Sequence, residues 1–372
     1  MTGTFVNRLR RRLLAFGLAA FATNLVFAAG KPKVRIFIVS SYSRDYIWSR
    51  STQEGVNAGL LKHGYLDGRD QALKLLSHDS VESSRAVISK SWMDTKRRNS
   101  RSEIALTTER IVREIQLFRP DLVMLGDDNA ANYIGNQLLG TKVPVVFWGI
   151  NGLPLKYGLI ENLDAPGSNI TGVWQSGYYK EGLELLKRLV PRAKSFAILA
   201  CDSETTRPSV KMIEQLAKRG VLPMTLVESV VTNSFEDFKS RALSLSRKVD
   251  AFFVLNHDTL RDAKGRYVDM LEVGRWYLEN IRIPEVSHED QFVKEGMLLT
   301  ANDSGFNQGQ LAFDMARLIL EQGLNPARMA VRTPDRGPYL VNRMRARQLG
   351  IDISGSMYLI DEIIETSAAL RR

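Results

Sequence analysis

Val34 to Val39 read VRIFIV, an apolar run broken by a single arginine, and the run ends at Ser40-Ser41-Tyr42-Ser43. A stretch of this length and composition reads as a strand of a parallel sheet covered on both faces. Two runs of the same kind follow, Asp121 to Leu125 (DLVML) and Val143 to Phe147 (VPVVF), about one helix apart, which is the spacing of βαβ units. Each stops at polar residues: Gly126-Asp127-Asp128-Asn129 after the first, Trp148-Gly149-Ile150-Asn151 after the second.

The series recurs in the second half. Ser195 to Ala200 (SFAILA) leads to Cys201-Asp202-Ser203-Glu204, Asp250 to Leu255 (DAFFVL) to Asn256-His257-Asp258, and Ile283-Pro284-Glu285-Val286 to Ser287-His288-Glu289-Asp290. Arg119-Pro120-Asp121 matches Lys248-Val249-Asp250, and Val143-Pro144 matches Ile283-Pro284. This points to an α/β protein of two similar Rossmann-like lobes with parallel sheets, facing each other across a cleft. The first half is longer between its first strand and its Asp-led strand, and the excess falls around residues 77–108. There Ala86 to Trp92 and Ile104 to Ile115 read as helices flanking the polar stretch Met93 to Ser102.

The length of 372 residues suits two lobes rather than one core or three. With 44% hydrophobic and 25% charged residues, the composition is that of a folded globular chain. Near the N-terminus, Arg8, Arg10, Arg11 and Arg12 precede an uncharged apolar run from Leu13 to Ala29, and Val26-Phe27-Ala28 sets small residues at the −3 and −1 positions of a signal-peptidase site. A cleavable signal peptide over residues 1–28 is expected. An uncleaved anchor and a twin-arginine signal are the alternatives, the run being barely long enough to span a bilayer. No later window has the apolar length of a membrane span, and the single cysteine, Cys201, forbids an intramolecular disulfide and lies far from the cleavage site, so a lipid anchor is not expected. These features favour the periplasm of a Gram-negative cell.

Without the four leader arginines the basic residues fall from 51 to 47 against 41 acids, a net charge of +6. Basic residues are scattered apart from Lys96-Arg97-Arg98 with Arg101, which reads as a solvated face, so nucleic acid is not an expected partner.

In open parallel sheets, ligands sit beyond the carboxyl ends of the strands. The polar tips there form the candidate ligand site: Ser41, Tyr42, Asp127, Asp128, Asn129 and Asn151 from the first lobe, facing Asp202, Glu204, Asn256, Asp258 and Asp290 from the second. For roughly half of them an ordinary helix cap is the alternative reading, since Asp, Asn and Ser are favoured capping residues. The tips are rich in acids, and Tyr42, Tyr46, Trp48 and Trp148 on or after the same loops offer an aromatic wall. An amine-bearing organic solute of amino-acid size is therefore favoured over sulfate, phosphate or a dicarboxylate.

Catalytic signatures are missing: there is no Gly-x-Ser-x-Gly elbow, no phosphate-binding Gly-x-x-x-x-Gly-Lys-Ser/Thr loop and no Gly-x-Gly-x-x-Gly after the first strand. Four histidines exist, and only His257-Asp258 with His288-Glu289-Asp290 can converge on a metal; helix-capping acids at a cleft rim are the favoured reading. No enzyme activity, cofactor or metal is expected, and Cys201 reads as a small buried residue.

Asn169-Ile170-Thr171-Gly172-Val173, the helix ending at Leu189-Val190-Pro191-Arg192-Ala193-Lys194, the Asp250 strand, Ile283-Pro284, and Phe292-Val293-Lys294-Glu295-Gly296 together resemble the ABC-transporter substrate-binding family with the type I periplasmic-binding-protein fold. Tyr339-Leu340-Val341-Asn342 with Ala346 and Leu349-Gly350-Ile351 resembles that family's C-terminus. The stretch with Met93-Asp94-Thr95-Lys96-Arg97 and the longer first half marks a longer-headed branch. The resemblance implies a three-stranded hinge, with crossings near Gly172, near Asp290 and near Arg328 to Arg332. Lobe one is then residues 31–172 plus 291–330, and lobe two residues 173–290 plus 331–372. It further implies delivery of a small-molecule solute to an ABC transporter permease in the inner membrane; a monomer is expected. A free ligand-sensing partner of a membrane signalling receptor is the alternative, and a periplasmic enzyme on the same fold the second; because the chain ends at Arg372, a fused sensor is not expected.

Overall fold

The computed structural model describes residues 32–151 and 153–371. The expected signal peptide and its cleavage site lie outside them. No helix among the described residues is long and apolar enough to cross a membrane.

The first sheet is formed by β1 (Val34–Ser40), β2 (Ser80–Glu82), β3 (Ala86–Trp92), β4 (Leu122–Gly126), β5 (Val145–Ile150) and β6 (Ile170–Trp174), in the order β2-β3-β1-β4-β5-β6. Its pairings are parallel except that of β2 with β3. β4 and β5 are buried along their whole length, which is why they appear in the sequence as unbroken apolar runs. Helices α1 (Ile47–Lys62), α2 (Arg69–Ser77) and α3 (Arg101–Phe118) belong to this lobe. The start of α3 is fixed by a capping box: the Ser100 hydroxyl accepts from the Glu103 amide while the Glu103 carboxylate reaches back to the Ser100 amide.

The expected helix at Ala86–Trp92 is instead β3. β-Branched Val87 and Ile88 favour a pleated surface. The strand pairs in register with β1 from Val34↔Ala86 to Ser40↔Trp92, so its backbone groups are satisfied by the sheet. The expected helix at Ile104–Ile115 is present as the middle of α3.

The second lobe contains α4 (Tyr179–Leu189), β7 (Ser195–Ala200), α5 (Thr206–Lys218), β8 (Thr225–Val231), α6 (Phe235–Leu245), β9 (Ala251–Val254), α7 (Met270–Asn280), β10 (Glu285–Ser287), α8 (Asp290–Glu295) and β11 (Leu299–Ala301). Helix α9 (Gly305–Gln322) returns to the first lobe, and β12 (Tyr339–Asn342), α10 (Arg343–Leu349) and β13 (Glu362–Ile364) complete the second. The seven strands lie in the order β13-β12-β11-β10-β9-β7-β8, with β11 and β12 antiparallel. Each sheet is sandwiched between two apolar clusters. In the second lobe Arg345 is fully buried and donates from Nε and Nη2 to the two oxygens of Glu285, at 2.8 and 3.0 Å.

Three segments join the lobes, and they are laced together. After β6 the chain passes through residues 175–178; Val173 bridges Arg332, the Arg332 amide donates to Gly172 O, and the Trp174 amide donates to Arg332 O. The second crossing lies at 302–304, about a dozen residues past the expected position near Asp290. The reason is β11, which pairs with β10 and β12 and keeps the chain in the second sheet until Ala301. The third follows Pro326–Arg328 and runs to β12, the Gly337 amide donating to Asn302 O at 2.9 Å.

Candidate functional site

The carboxyl ends of both sheets face one cleft, and the lobes touch across it. The Tyr42 and Thr205 hydroxyls are 3.0 Å apart, Tyr46 donates its hydroxyl to Asp258, and the Ser209 hydroxyl meets Asn151 Oδ1 at 3.5 Å. Arg261 reaches Asn99 Oδ1 at 2.9 Å.

From the first lobe, Ser41 closes the turn after β1: its hydroxyl donates to Gly126 O and accepts from the Ala130 amide, both at 2.7 Å. Asp127 begins the short helix Asp127–Asn129 that continues into the π-helix Ala130–Gly135, and accepts Trp48 Nε1 at 2.6 Å. Its φ of 68° is in the left-handed region, uncommon for a side chain other than glycine, asparagine or aspartate. Asp128 accepts from the Tyr157 hydroxyl at 2.7 Å and from the amide and side chain of Asn151. Asn129 donates to Thr95 Oγ1 at 2.8 Å.

From the second lobe, Asn256 and Asp258 enter the cleft, Asn256 donating to Asp258 at 3.3 Å. Asp202 and Glu204 do not. Asp202 is exposed and pairs with Arg207, whereas Glu204 sits at the rim, 3.7 Å from Lys156 of the facing lobe. Their positions on the loop entering α5 leave them on the water side, where paired charges cost least. Asp290 starts α8; its amide donates to Asn302 Oδ1 and its carboxylate pairs with Lys294.

Of the expected aromatic wall, Tyr42, Tyr46 and Trp48 form one buried cluster with Met270 from the opposite lobe, the two tyrosine rings 5.0 Å apart. Trp148 belongs instead to the first lobe's core, packed so closely on Gly126 that a Cβ there would lie 2.4 Å from its ring.

Several groups that sequence reasoning missed join the site. Lys96, expected on a solvated face, is 4% exposed, with Nζ 3.0 Å from Asp258. Glu289 accepts from Gln175 at 3.1 Å and Gln291 at 2.7 Å, and its Oε1 lies 3.2 Å from His288 Nε2. Asp303 accepts from the Gly177 amide and from Gln308. Gln175 and Asp303 come from the hinge crossings, which no strand-end pattern marks.

Burial pushes the carboxyls of Asp127 and Asp128 upward; for Asp127 the charges of Asp128 and Glu289 add to this. Asp303 is pushed up to about 6, chiefly by burial. Burial also acts against the charged form of Asp258, but Lys96 and the Tyr46 hydroxyl outweigh it and hold that carboxyl low. Gln175 Oε1, Ser176 Oγ, Asn256 Oδ1 and Gln291 Oε1 are buried with no hydrogen-bond partner among the described residues. The combined set is dense in acceptors and poor in cations. Cys201 is a buried free thiol raised by burial, and among the described residues no group of three or more His, Cys, Asp and Glu is arranged to hold a metal ion.

The model of the family described as ABC transporter substrate binding protein matches residues 73–361. The chain belongs to the ABC transporter substrate-binding protein family. A relative of this substrate-binding chain, named a tyrosine-binding protein of Clostridioides difficile (strain R20291), is 25% identical over 238 residues, 63% of this chain and 65% of that protein. The match thus spans about 65% of the length of that relative. Solved structures agree on the fold. The ABC domain from Streptococcus pneumoniae in complex with L-Trp superposes with a TM-score of 0.67 at 20% identity, covering 89% of this chain and 100% of that one. An open, ligand-free substrate binding protein with adhesive properties from Clostridium difficile gives 0.65 at 22% identity, covering 90% and 100%. A conserved domain protein from Vibrio cholerae gives 0.68 at 18%, covering 89% and 100%. The architecture of this substrate-binding chain is that of type I periplasmic binding proteins: two α/β lobes with mostly parallel sheets.

Proposed function

We propose that this protein is an extracytoplasmic solute receptor, without catalytic activity, that encloses an amine-bearing organic solute of amino-acid size between its lobes and hands it to an ABC transporter permease. The observation that carries the reading is the acceptor-rich interior of the cleft. Asp127, Glu289 and Asp303 are buried there together with amide and hydroxyl oxygens of Gln175, Ser176, Asn256 and Gln291 that have no hydrogen-bond partner among the described residues. Buried carboxylates are costly unless met by a cation or donors, so the set favours a ligand bringing an ammonium group and further N–H or O–H groups. Tyr42, Tyr46 and Trp48 supply an apolar wall suited to the ligand's body. A tyrosine-binding relative and a structural neighbour holding L-Trp fit a ligand of this size that carries an ammonium group. Of the eleven residues expected at the site, nine remain as candidate lining or support, while Asp202 and Glu204 are assigned to the rim.

Thermal denaturation against a panel of amines, amino acids and simple anions tests the proposal. A ligand bound only by the folded state adds about 2.7 kcal/mol of stability at a hundredfold excess over Kd. The expected result is a rise in Tm with at least one amine-bearing compound and none with sulfate, phosphate or succinate. A rise confined to the anions would overturn it.

A further inference from the structure

Lys96 lies in the polar stretch between β3 and α3 that lengthens the first lobe, yet its ammonium group is carried into the cleft. Nζ lies 3.0 Å from Asp258 Oδ1, with the side chains 5% and 1% exposed. The same nitrogen is 4.4 Å from the centre of the Tyr42 ring and 5.7 Å from that of Tyr46. Asp258 also receives the Tyr46 hydroxyl, the Asn256 amide at 3.3 Å and the Cys201 thiol at 3.6 Å. A carboxylate has about four lone-pair sites. Asp258 is therefore both neutralised and saturated by the protein itself.

Asp127 and Glu289 are placed differently. Each is at most 3% exposed. The hydrogen bonds to Asp127 and Glu289 come from neutral groups, Trp48 in one case and Gln175 and Gln291 in the other. The two carboxylates meet at the start of α1: Trp48 donates to Asp127, and Gln291, which donates to Glu289, also lies 3.5 Å from the hydroxyl of Tyr46, two residues before Trp48. Asp127 is moreover held at positive φ. Glu289 faces the ring of His288 on its remaining side.

We infer that Lys96 is an internal counter-ion that takes Asp258 out of ligand recognition and ties the lobes together, while Asp127 and Glu289 receive the ammonium group of the solute. The inference rests on the reading of the cleft as an amine-binding site. It assigns specificity to two of several buried acids and gives the inserted stretch a role in closure. Lys96 touches the ligand's surroundings rather than selecting its charge, so its loss should weaken all ligands alike.

The test is isothermal titration of L-tyrosine, tyramine and the deaminated hydroxyphenylpropionate into wild type and the variants Asp127→Asn, Glu289→Gln, Lys96→Met and Asp258→Asn. Asparagine tolerates positive φ, so Asp127→Asn keeps the local backbone; circular dichroism and urea midpoints check folding of all four. The expected result is a loss of about 30-fold or more for tyrosine and tyramine in Asp127→Asn and Glu289→Gln, with hydroxyphenylpropionate unaffected or improved. Lys96→Met should weaken the three ligands by a common factor. Should Asp258→Asn abolish the preference for the amines while Asp127→Asn and Glu289→Gln keep it, the assignment is wrong although the amine site stands. If wild type binds neither amine, the amine-site reading and this assignment fail together.

Discussion

Lys96 and Asp258, drawn from opposite lobes, form an ion pair of 3.0 Å buried beneath the rings of Tyr42 and Tyr46. Removing one member of a buried pair leaves the other charge uncompensated, at a cost of about 3–5 kcal/mol. Here opening the cleft relieves that cost, because Asp258 then meets water. Lys96→Met is therefore expected to populate an open arrangement, visible in small-angle scattering as a larger radius of gyration than wild type under the same conditions. An unchanged radius would show that the pair does not hold the lobes.

Binding of an amine should depend on acid in a definite direction. Burial, with Asp128 and Glu289 adding to it and Lys96 opposing, raises the Asp127 carboxyl. A protonated carboxyl cannot pair with an ammonium group, so affinity for tyramine is expected to be full above the raised pKa and to fall as pH is lowered through it. Titration calorimetry across that range checks this, and in Asp127→Asn the dependence should be shallower. A flat profile in wild type would contradict it.

Asp303 offers a stability test at the hinge. Its folded-state value of about 6 stands above the ordinary carboxylate value of 3.8, which burial causes and the Gly177 and Gln308 donors only partly offset. The protonated form is favoured by folding, so this contribution is complete below the unfolded pKa and is lost as pH rises through about 6. The difference amounts to ~3 kcal/mol. In Asp303→Asn the fall in stability between about pH 4 and pH 6 should be smaller by that order, as measured by urea midpoints. An identical pH profile in the two proteins would refute it.

The return of α9 to the first lobe depends on two glycines. A Cβ at Gly309 would lie 2.1 Å from Thr52 O, and one at Gly55 would lie 2.0 Å from Phe306 O. Helices α1 and α9 thus approach backbone to backbone, and Gly309→Ala is expected to destabilise by about 1–3 kcal/mol in urea denaturation. Gly68 has open space around its Cβ position and an extended backbone, so Gly68→Ala serves as the neutral control, within about 0.5 kcal/mol of wild type.

What could be read in advance follows from where each signal resides. VRIFIV, DLVML and DAFFVL were legible because a strand covered on both faces has no polar side to show, and the polar residues after them marked the cleft. Ala86–Trp92 was misread because its β1 partner lies far away in sequence and a seven-residue run carries little periodicity. The acids at strand ends were visible, but their division into rim and interior was not. Asp202 and Asp258 both follow a strand, and only the path of the loop into α5 sets one in water and the other beneath Tyr46. Lys96 was hidden for the same reason. A lysine beside two arginines resembles a solvated face until the opposite lobe supplies its carboxylate. The hinge residues Gln175 and Asp303 carry no motif, since their meeting is produced by three crossings distant in sequence.

The decisive measurement is a crystal structure of the protein with the amine-bearing compound that raises Tm most in the panel. Electron density for that compound is expected between the lobes, its ammonium nitrogen within hydrogen-bond distance of Asp127 and Glu289 and its body against Tyr42, Tyr46 and Trp48. Density for the compound on an outer face, with the cleft lined by the same protein contacts and the compound absent from it, would refute an amine site between the lobes.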